Sequence, residues 1–354
     1  MHQPRHHNFS YLNHEEANVK SSAEVTTHMM AKAGFGKGVI LCLLATVSWG
    51  SLFPVMTEAL RILDPFTFTT LRFGIAAVFF AALLWRREGR QAFSIEGRGL
   101  LTWLMGTLGF AGFGLLVFIG QRMAGVEGAL IASVMMATQP MLSLLANWAI
   151  RRIPPRPLSF CFILLSLTGV LLVVTKGAIN DAAKSAEHLG AASIIVAGAL
   201  CWVIYTIGST FFNGWSPYRY TTLTTLFGVL SLLAINVVLF AAGSVAPPDV
   251  SQLERVSPYL LYTACVPGVI GVLCWNLGVR IVTPVNGVLF MDVIPATAFA
   301  ISACEGVVPV SAQIVGVACT ASAIVLNNFY LRSDIRRKSR LHTTQLQVER
   351  MRKD

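Results

Sequence analysis

Apolar residues in this chain come in successive blocks of about 20, separated by short polar joints. That length crosses a hydrocarbon core of about 30 Å at about 1.5 Å per residue. In lipid every backbone N–H and C=O must be satisfied within its own segment, so each block is expected to be a helix. The alternation over about ten residues that marks a membrane β-strand is missing. The blocks cover residues 38–60, 65–85, 99–120, 126–149, 158–175, 189–212, 217–242, 258–280, 284–303 and 309–331. The fold expected is therefore all-α: a polytopic membrane protein of ten transmembrane helices. Charge supports this. Only 12% of residues are charged, against about 25% in soluble domains, too few to cover a water-facing surface.

The net charge of +10 would suit nucleic acid if it were gathered in one patch. It lies instead between the blocks and in the tail, so no nucleic-acid partner is expected. One set of joints holds Arg5, Lys20, Lys32 and Lys37, then Arg86, Arg87, Arg90 and Arg98, then Arg151, Arg152 and Arg156, then Arg219, Arg280 and the tail from Arg332 to Lys353. The alternate set keeps Arg61, Arg122, Lys176, Lys184 and Arg255. The positive-inside rule then puts both termini in the cytoplasm of a cell (inner or plasma) membrane. The basic tail, at Arg336, Arg337, Lys338 and Arg340, is read first as a topology marker, with contact to anionic membrane lipid as the alternative. The seven cysteines lie in or at the ends of apolar blocks without ligand spacing, and His2, His6 and His7 lack partner ligands. No metal site and no cofactor are expected. Residues 1–36 read as a disordered leader. Met29 and Met30 offer an alternative start, so residues 1–28 are open as native sequence. A cleaved signal peptide is disfavoured by the length of the first block.

The chain repeats itself. Pro65-Phe66-Thr67-Phe68-Thr69-Thr70-Leu71 matches Pro217-Tyr218-Arg219-Tyr220-Thr221-Thr222-Leu223, Trp49 matches Trp202, and Pro140 matches Pro295. Two units of five spans follow, 37–178 and 186–331, before a tail at 332–354. A five-span unit that starts inside ends outside, so its copy is inverted, the construction of alternating-access carriers. At Trp49-Gly50, at Pro65 followed by Arg72, at Pro140, at the Gly278-Val279-Arg280 turn into Pro284, and at Pro295, Glu305 and Gly316, the chain resembles the EamA-type transporters of the drug/metabolite transporter superfamily over about residues 38–332. The resemblance implies ten helices with cytoplasmic termini, a central cavity lined by spans one to four and six to nine, and export of small metabolites or amino acids. The chain departs from the family pattern at Arg151-Arg152, at Thr224 where Arg72 would recur, and at Trp202-Val203.

Ionisable groups inside spans are costly, about 2.5–3.5 kcal/mol on insertion scales, and mark transport paths. Arg72 lies in the second span and Asp292 in the ninth, their α-carbons differing in depth by about 8 Å by helical rise. Arg72 is a candidate to attract a carboxylate, and Asp292 to bind an amine or carry a coupling proton. A direct ion pair, or a snorkelling Arg72, are the structural alternatives. Trp49, Trp202 and Tyr205 are aromatic candidates for a substrate face. Polar stripes mark Ser133, Met136, Pro140, Ser143 and Asn147 in the fourth span and Thr221, Thr224, Thr225 and Gly228 in the seventh, as cavity lining or helix glue. Pro54, Pro140, Pro267 and Pro295 would kink their spans, freeing the carbonyls of Gly50, Met136, Thr263 and Met291. Several spans are expected to open with proline, at Pro65, Pro217, Pro258, Pro284 and Pro309.

No catalytic cluster is visible, so an enzyme is not expected. The expected activity is secondary transport of a small-molecule substrate, exported by alternating access and driven by its own gradient or by protons. A homodimer is one assembly the sequence allows. The alternatives are a sensor or channel without carrier activity, or a lipid-handling membrane protein.

Overall fold

Caps and prolines start the helices. Asp64 accepts hydrogen bonds from the N–H groups of Phe66 and Thr67, both at 2.9 Å, and Pro65 opens the second span, Pro65–Glu88. Ser216 and Pro217 repeat the device at the seventh, Pro217–Ala241, with Arg219 N–H donating to Ser216 Oγ at 3.0 Å. A capping oxygen satisfies a donor that the first turn leaves free, and proline there has none to lose. The eighth span differs from expectation. Pro258 lies inside its helix, which begins at Val250 behind a capping box of Asp249 and Gln252. The apolar block marks where lipid begins, whereas the cap sets where the helix begins. Pro157 opens the fifth span, Pro157–Thr175.

The computed structural model describes residues 9–152, 154–177, 182–282, 287 and 290–330, with side chains from residue 35 onward except 151, 182–187 and 280. Pro284, the leader histidines and the basic tail lie outside the described residues. Among these residues there is no strand. Eight helices are long and apolar enough to cross a membrane, among them Phe35–Ile62, Gly99–Met123, His188–Phe211, Val250–Val279 and Ser311–Tyr330. The pair Gly125–Ala137 and Gln139–Ile150, bent by 48°, makes a ninth. The tenth expected position, 284–303, is represented by a shorter apolar helix, Val293–Cys304. The first helix runs from Phe9 to Ile62, so residues 9–36 are helical where the polar composition suggests disorder. Extending a helix already nucleated by the span costs far less than starting one.

The four in-span prolines do three different things. The first helix passes through Pro54 unbroken. Pro140 and Pro295 are not mid-helix kinks. They lie in the first turn of Gln139–Arg151 and of Val293–Cys304, where a helix restarts after a break. Pro267 sits within a π-helical stretch, Ala264–Gly271, in the eighth span, and the third span carries a π stretch at the matching place, Thr107–Gly112.

The halves interlock through these stretches. Trp49 of the first span reaches the π stretch of the eighth, and Trp202 of the sixth meets Phe110 in the π stretch of the third at 6.4 Å between ring centroids. A Cβ at Gly271 would strike Ser48 and crowd Trp49; one at Gly112 would press on the Cys201 sulfur at 3.1 Å. The second and seventh spans are joined by Asn236 Nδ2 donating to Thr70 Oγ1 at 2.6 Å and Thr222 Oγ1 to the Phe80 carbonyl at 3.1 Å. The fifth and tenth spans meet backbone to backbone, since Gly169 and Gly316 each face the other's carbonyl. Small residues permit such approach where no hydrophobic force drives helices together. Outward faces carry Val78, Phe79, Leu164, Leu230 and Val237, all exposed, an apolar exterior suited to lipid.

Candidate transport site

Three consecutive residues of the first span organise the centre. The Trp49 indole N–H donates to the Pro267 carbonyl at 3.1 Å, and its ring lies 5.3 Å from that of Trp275. Gly50 abuts the Ile294 carbonyl and Thr297 of the ninth helix so closely that a Cβ would collide. Ser51 shares a 2.6 Å hydrogen bond with the Tyr262 hydroxyl. The first span thus joins the eighth and ninth at one level.

Arg72 reaches the same level from the second span. It is 4% exposed. Its Nε donates to the Thr263 carbonyl at 3.2 Å, the acceptor that Pro267 frees by lacking an N–H. The guanidinium carbon lies 4.7 Å from the Phe73 ring centroid and 5.7 Å from that of Phe118, while Nη1 has no hydrogen-bond partner. Arg72 therefore does not snorkel. Asp292 sits at the N-cap of Val293–Cys304, two residues before the carbonyl that meets Gly50, and its Oδ1 is buried without a partner. Arg72 and Asp292 form no ion pair, leaving a free donor on one and a free acceptor on the other.

Trp202 and Tyr205 belong to a second group. Their rings lie 5.1 Å apart, Tyr205 lies 5.4 Å from Phe110 and stacks on Tyr220 at 5.1 Å, and the Tyr220 hydroxyl donates to the Tyr205 carbonyl at 2.7 Å. Phe73 meets Phe110 at 5.1 Å, so ring contacts run unbroken from Arg72 to this group. They continue through Phe212 to Trp215, where Arg219 lies 4.5 Å over the indole. There the loop after the second span grips the loop before the seventh. Glu96 pairs with Arg219 at 2.8 Å and accepts from the Trp215 indole at 2.9 Å, Arg219 donates to the Ser94 carbonyl at 2.7 Å, and Ser216 bonds Glu88.

Two stretches of the chain, residues 36–175 and 189–329, match the model of the EamA-like transporter family. The chain belongs to the EamA-like transporter family. It is a multi-pass membrane transporter. Among relatives of this EamA-like chain, "Uncharacterized transporter YrdR" of Bacillus subtilis (strain 168) is 35% identical over 305 residues, 86% of this chain and 95% of the relative. "Uncharacterized transporter YyaM" of the same organism is 26% identical over 279 residues, 78% of this chain and 88% of the relative. A solved structure described as "Crystal structure of protein" superposes with a TM-score of 0.57 at 18% identity, covering 84% of this chain and 99% of its own; at that identity the likeness concerns the fold alone.

Within the EamA-like fold the polar stripes serve packing more than lining. Ser133 Oγ donates to the Leu130 carbonyl and Asn147 Nδ2 to that of Ser143. Thr224 and Thr225 donate to the Tyr220 and Thr221 carbonyls, and Gly228 fits against Gly106 of the third span. Of the carboxylates near span ends, Glu58 pairs with Arg61 at 2.8 Å, while Glu127 pairs with Lys176 and accepts from Gln313. Sequence reasoning missed Gln121, a buried amide in the third span, and the Glu96–Arg219 grip. Gln121 was detectable as an amide within an apolar block. The grip was not, because loop charges show no partner until the loops meet.

Proposed function

We propose that this EamA-like transporter is a secondary carrier of the cell (inner or plasma) membrane, with both termini cytoplasmic. It exports small metabolites or amino acids by alternating access, driven by protons or by the substrate's own gradient. Arg72 attracts an anionic group of the substrate, and Asp292 takes an amine or the coupling proton. Trp49, Trp202 and Tyr205 shape the path between them. The observation that carries this reading is the Arg72 guanidinium: buried, fixed at Nε by a backbone carbonyl, and unpartnered at Nη1. A packing arginine would have its donors satisfied, because an unmet buried donor costs about 1–3 kcal/mol.

A metabolite screen of cells overexpressing the protein identifies the solute that appears outside, and proteoliposome flux then tests the roles. Arg72→Ala is expected to abolish flux at normal membrane levels. Asp292→Asn is expected to abolish proton-coupled accumulation. Wild-type flux in both variants rejects these roles, and no flux across a broad solute panel favours a sensor.

A further inference from the structure

A small cavity opens among the second, seventh and eighth spans, away from the level of Arg72. Phe80 and Leu83, Tyr218 and Thr221, and Val272 and Asn276 are among the side chains that line it. Its free volume is about 10 Å³, room for one water or one hydroxyl. Leu83 and Asn276 lie in the last two turns of their spans and Tyr218 in the first turn of its own. The cavity therefore sits at headgroup depth rather than among acyl chains. Asn276 is half-buried, and its carboxamide makes no hydrogen bond among the described residues. A carboxamide that has lost part of its water and found no protein partner is destabilising unless another molecule bonds it. Arg87 stands one turn beyond Leu83, and helical geometry sets it between Leu83 and Phe80 on that face. A helical side chain leans toward the turn before it, which brings this guanidinium within reach of the cavity. Arg87 is exposed and forms no ion pair among the described residues, while the neighbouring Glu88 is engaged by Ser216. Phe79 and Ile270, both exposed, lie deeper on the same two helices.

We propose that this cavity is the headgroup site of an anionic, hydroxyl-bearing phospholipid of the phosphatidylglycerol type. The phosphate lies on Arg87, one headgroup hydroxyl enters the cavity and bonds the Asn276 carboxamide, and the acyl chains run over Phe79 and Ile270. Volume and charge select this occupant. The cavity admits one small polar group, and among the described residues its lining carries no carboxylate. A lipid ammonium placed there would be a charge without a counter-ion, whereas a hydroxyl both donates to a carboxamide and accepts from it. Basic pockets between membrane helices are where anionic headgroups bind. Thr222 already ties the seventh span to the Phe80 carbonyl of the second, so a lipid bonded to Asn276 would fasten the eighth span to that pair. The site is independent of the substrate reading, since Phe80 stands about 12 Å along the helix from Arg72.

The test offers the purified full-length protein, in neutral detergent, the dioleoyl forms of phosphatidylglycerol, phosphatidylethanol and phosphatidylcholine, and reads retained lipid by native mass spectrometry. Phosphatidylethanol keeps the charge and lacks the hydroxyls; phosphatidylcholine lacks the net charge. Wild type is expected to retain phosphatidylglycerol about two- to tenfold over phosphatidylethanol, the yield of one hydrogen bond. It is expected to retain phosphatidylethanol at least about fivefold over phosphatidylcholine, the yield of one basic residue near the surface. Asn276→Leu is expected to erase the first ratio and keep the second. Arg87→Gln is expected to keep the first and lower the second about fivefold. The basic tail is the same in every variant, so its own attraction for anionic lipid cancels in these comparisons. If Asn276→Leu does not accumulate, Val272→Phe, which fills the cavity, decides: loss of the first ratio supports the site and an unchanged ratio overturns it. Equal retention of phosphatidylglycerol and phosphatidylethanol by wild type, a first ratio that survives Asn276→Leu, or a second ratio untouched by Arg87→Gln also overturns it.

Discussion

Glu96 holds a left-handed backbone, φ 47°, where a non-glycine side chain is crowded. It does so while its carboxylate takes two donors from the other half of the molecule, the Trp215 indole and Arg219. Such a backbone persists only where its surroundings over-determine it, and here the Trp215 and Arg219 contacts do so. The Trp215 N–H foremost, then Arg219, hold the Glu96 carboxyl below its usual range. A lowered carboxyl favours the closed loops above its ordinary value, and the benefit is lost only as pH falls through the depressed one. The grip should therefore be indifferent to pH between about 5 and 8. Glu96→Gln removes the charge and is expected to raise maleimide labelling of a cysteine placed at Asn213 by about two- to fivefold, the modest effect of an exposed pair. Equal labelling rates would assign the strain no role. At this scale the sequence was legible where cost was intrinsic, as for Arg72 and Asp292 within apolar blocks. It was silent about Glu96, whose meaning comes from a partner 123 residues away by number (219 − 96).

Elements were legible by length and hydropathy, properties that need no tertiary context, and the starts at Pro65 and Pro217 follow from local cap chemistry. The two π stretches were not, because a π turn has no composition of its own. Only Pro267 hinted at one, through the carbonyl it frees. That carbonyl belongs to Thr263 and holds Arg72. Restoring the N–H with Pro267→Ala is expected to let residue 267 capture the Thr263 carbonyl and draw the stretch toward α-helix. Arg72 then loses its anchor, and half-saturation for substrate should rise about tenfold at unchanged maximal flux. A fall in maximal flux alone would place Pro267 in motion rather than in binding.

Across the whole molecule, the match between Pro65–Leu71 and Pro217–Leu223 foretold two related units, yet gave no sign that each unit's first helix lodges in the other's third. If the loops joined by Glu88 and Ser216 must part for transport, tying them should stop it. Glu88→Cys with Ser216→Cys, in a background without the seven native cysteines, is expected to lose flux on oxidation and regain it with dithiothreitol. Undiminished flux in the cross-linked protein would show that this end stays shut throughout the cycle. The interlock also bears on biogenesis. The Trp49 indole waits for an acceptor 218 residues downstream, so the half synthesised first enters the bilayer with its central donors unmet. It must be sheltered there until its sibling arrives, and two separately expressed halves should survive quality control only when made together.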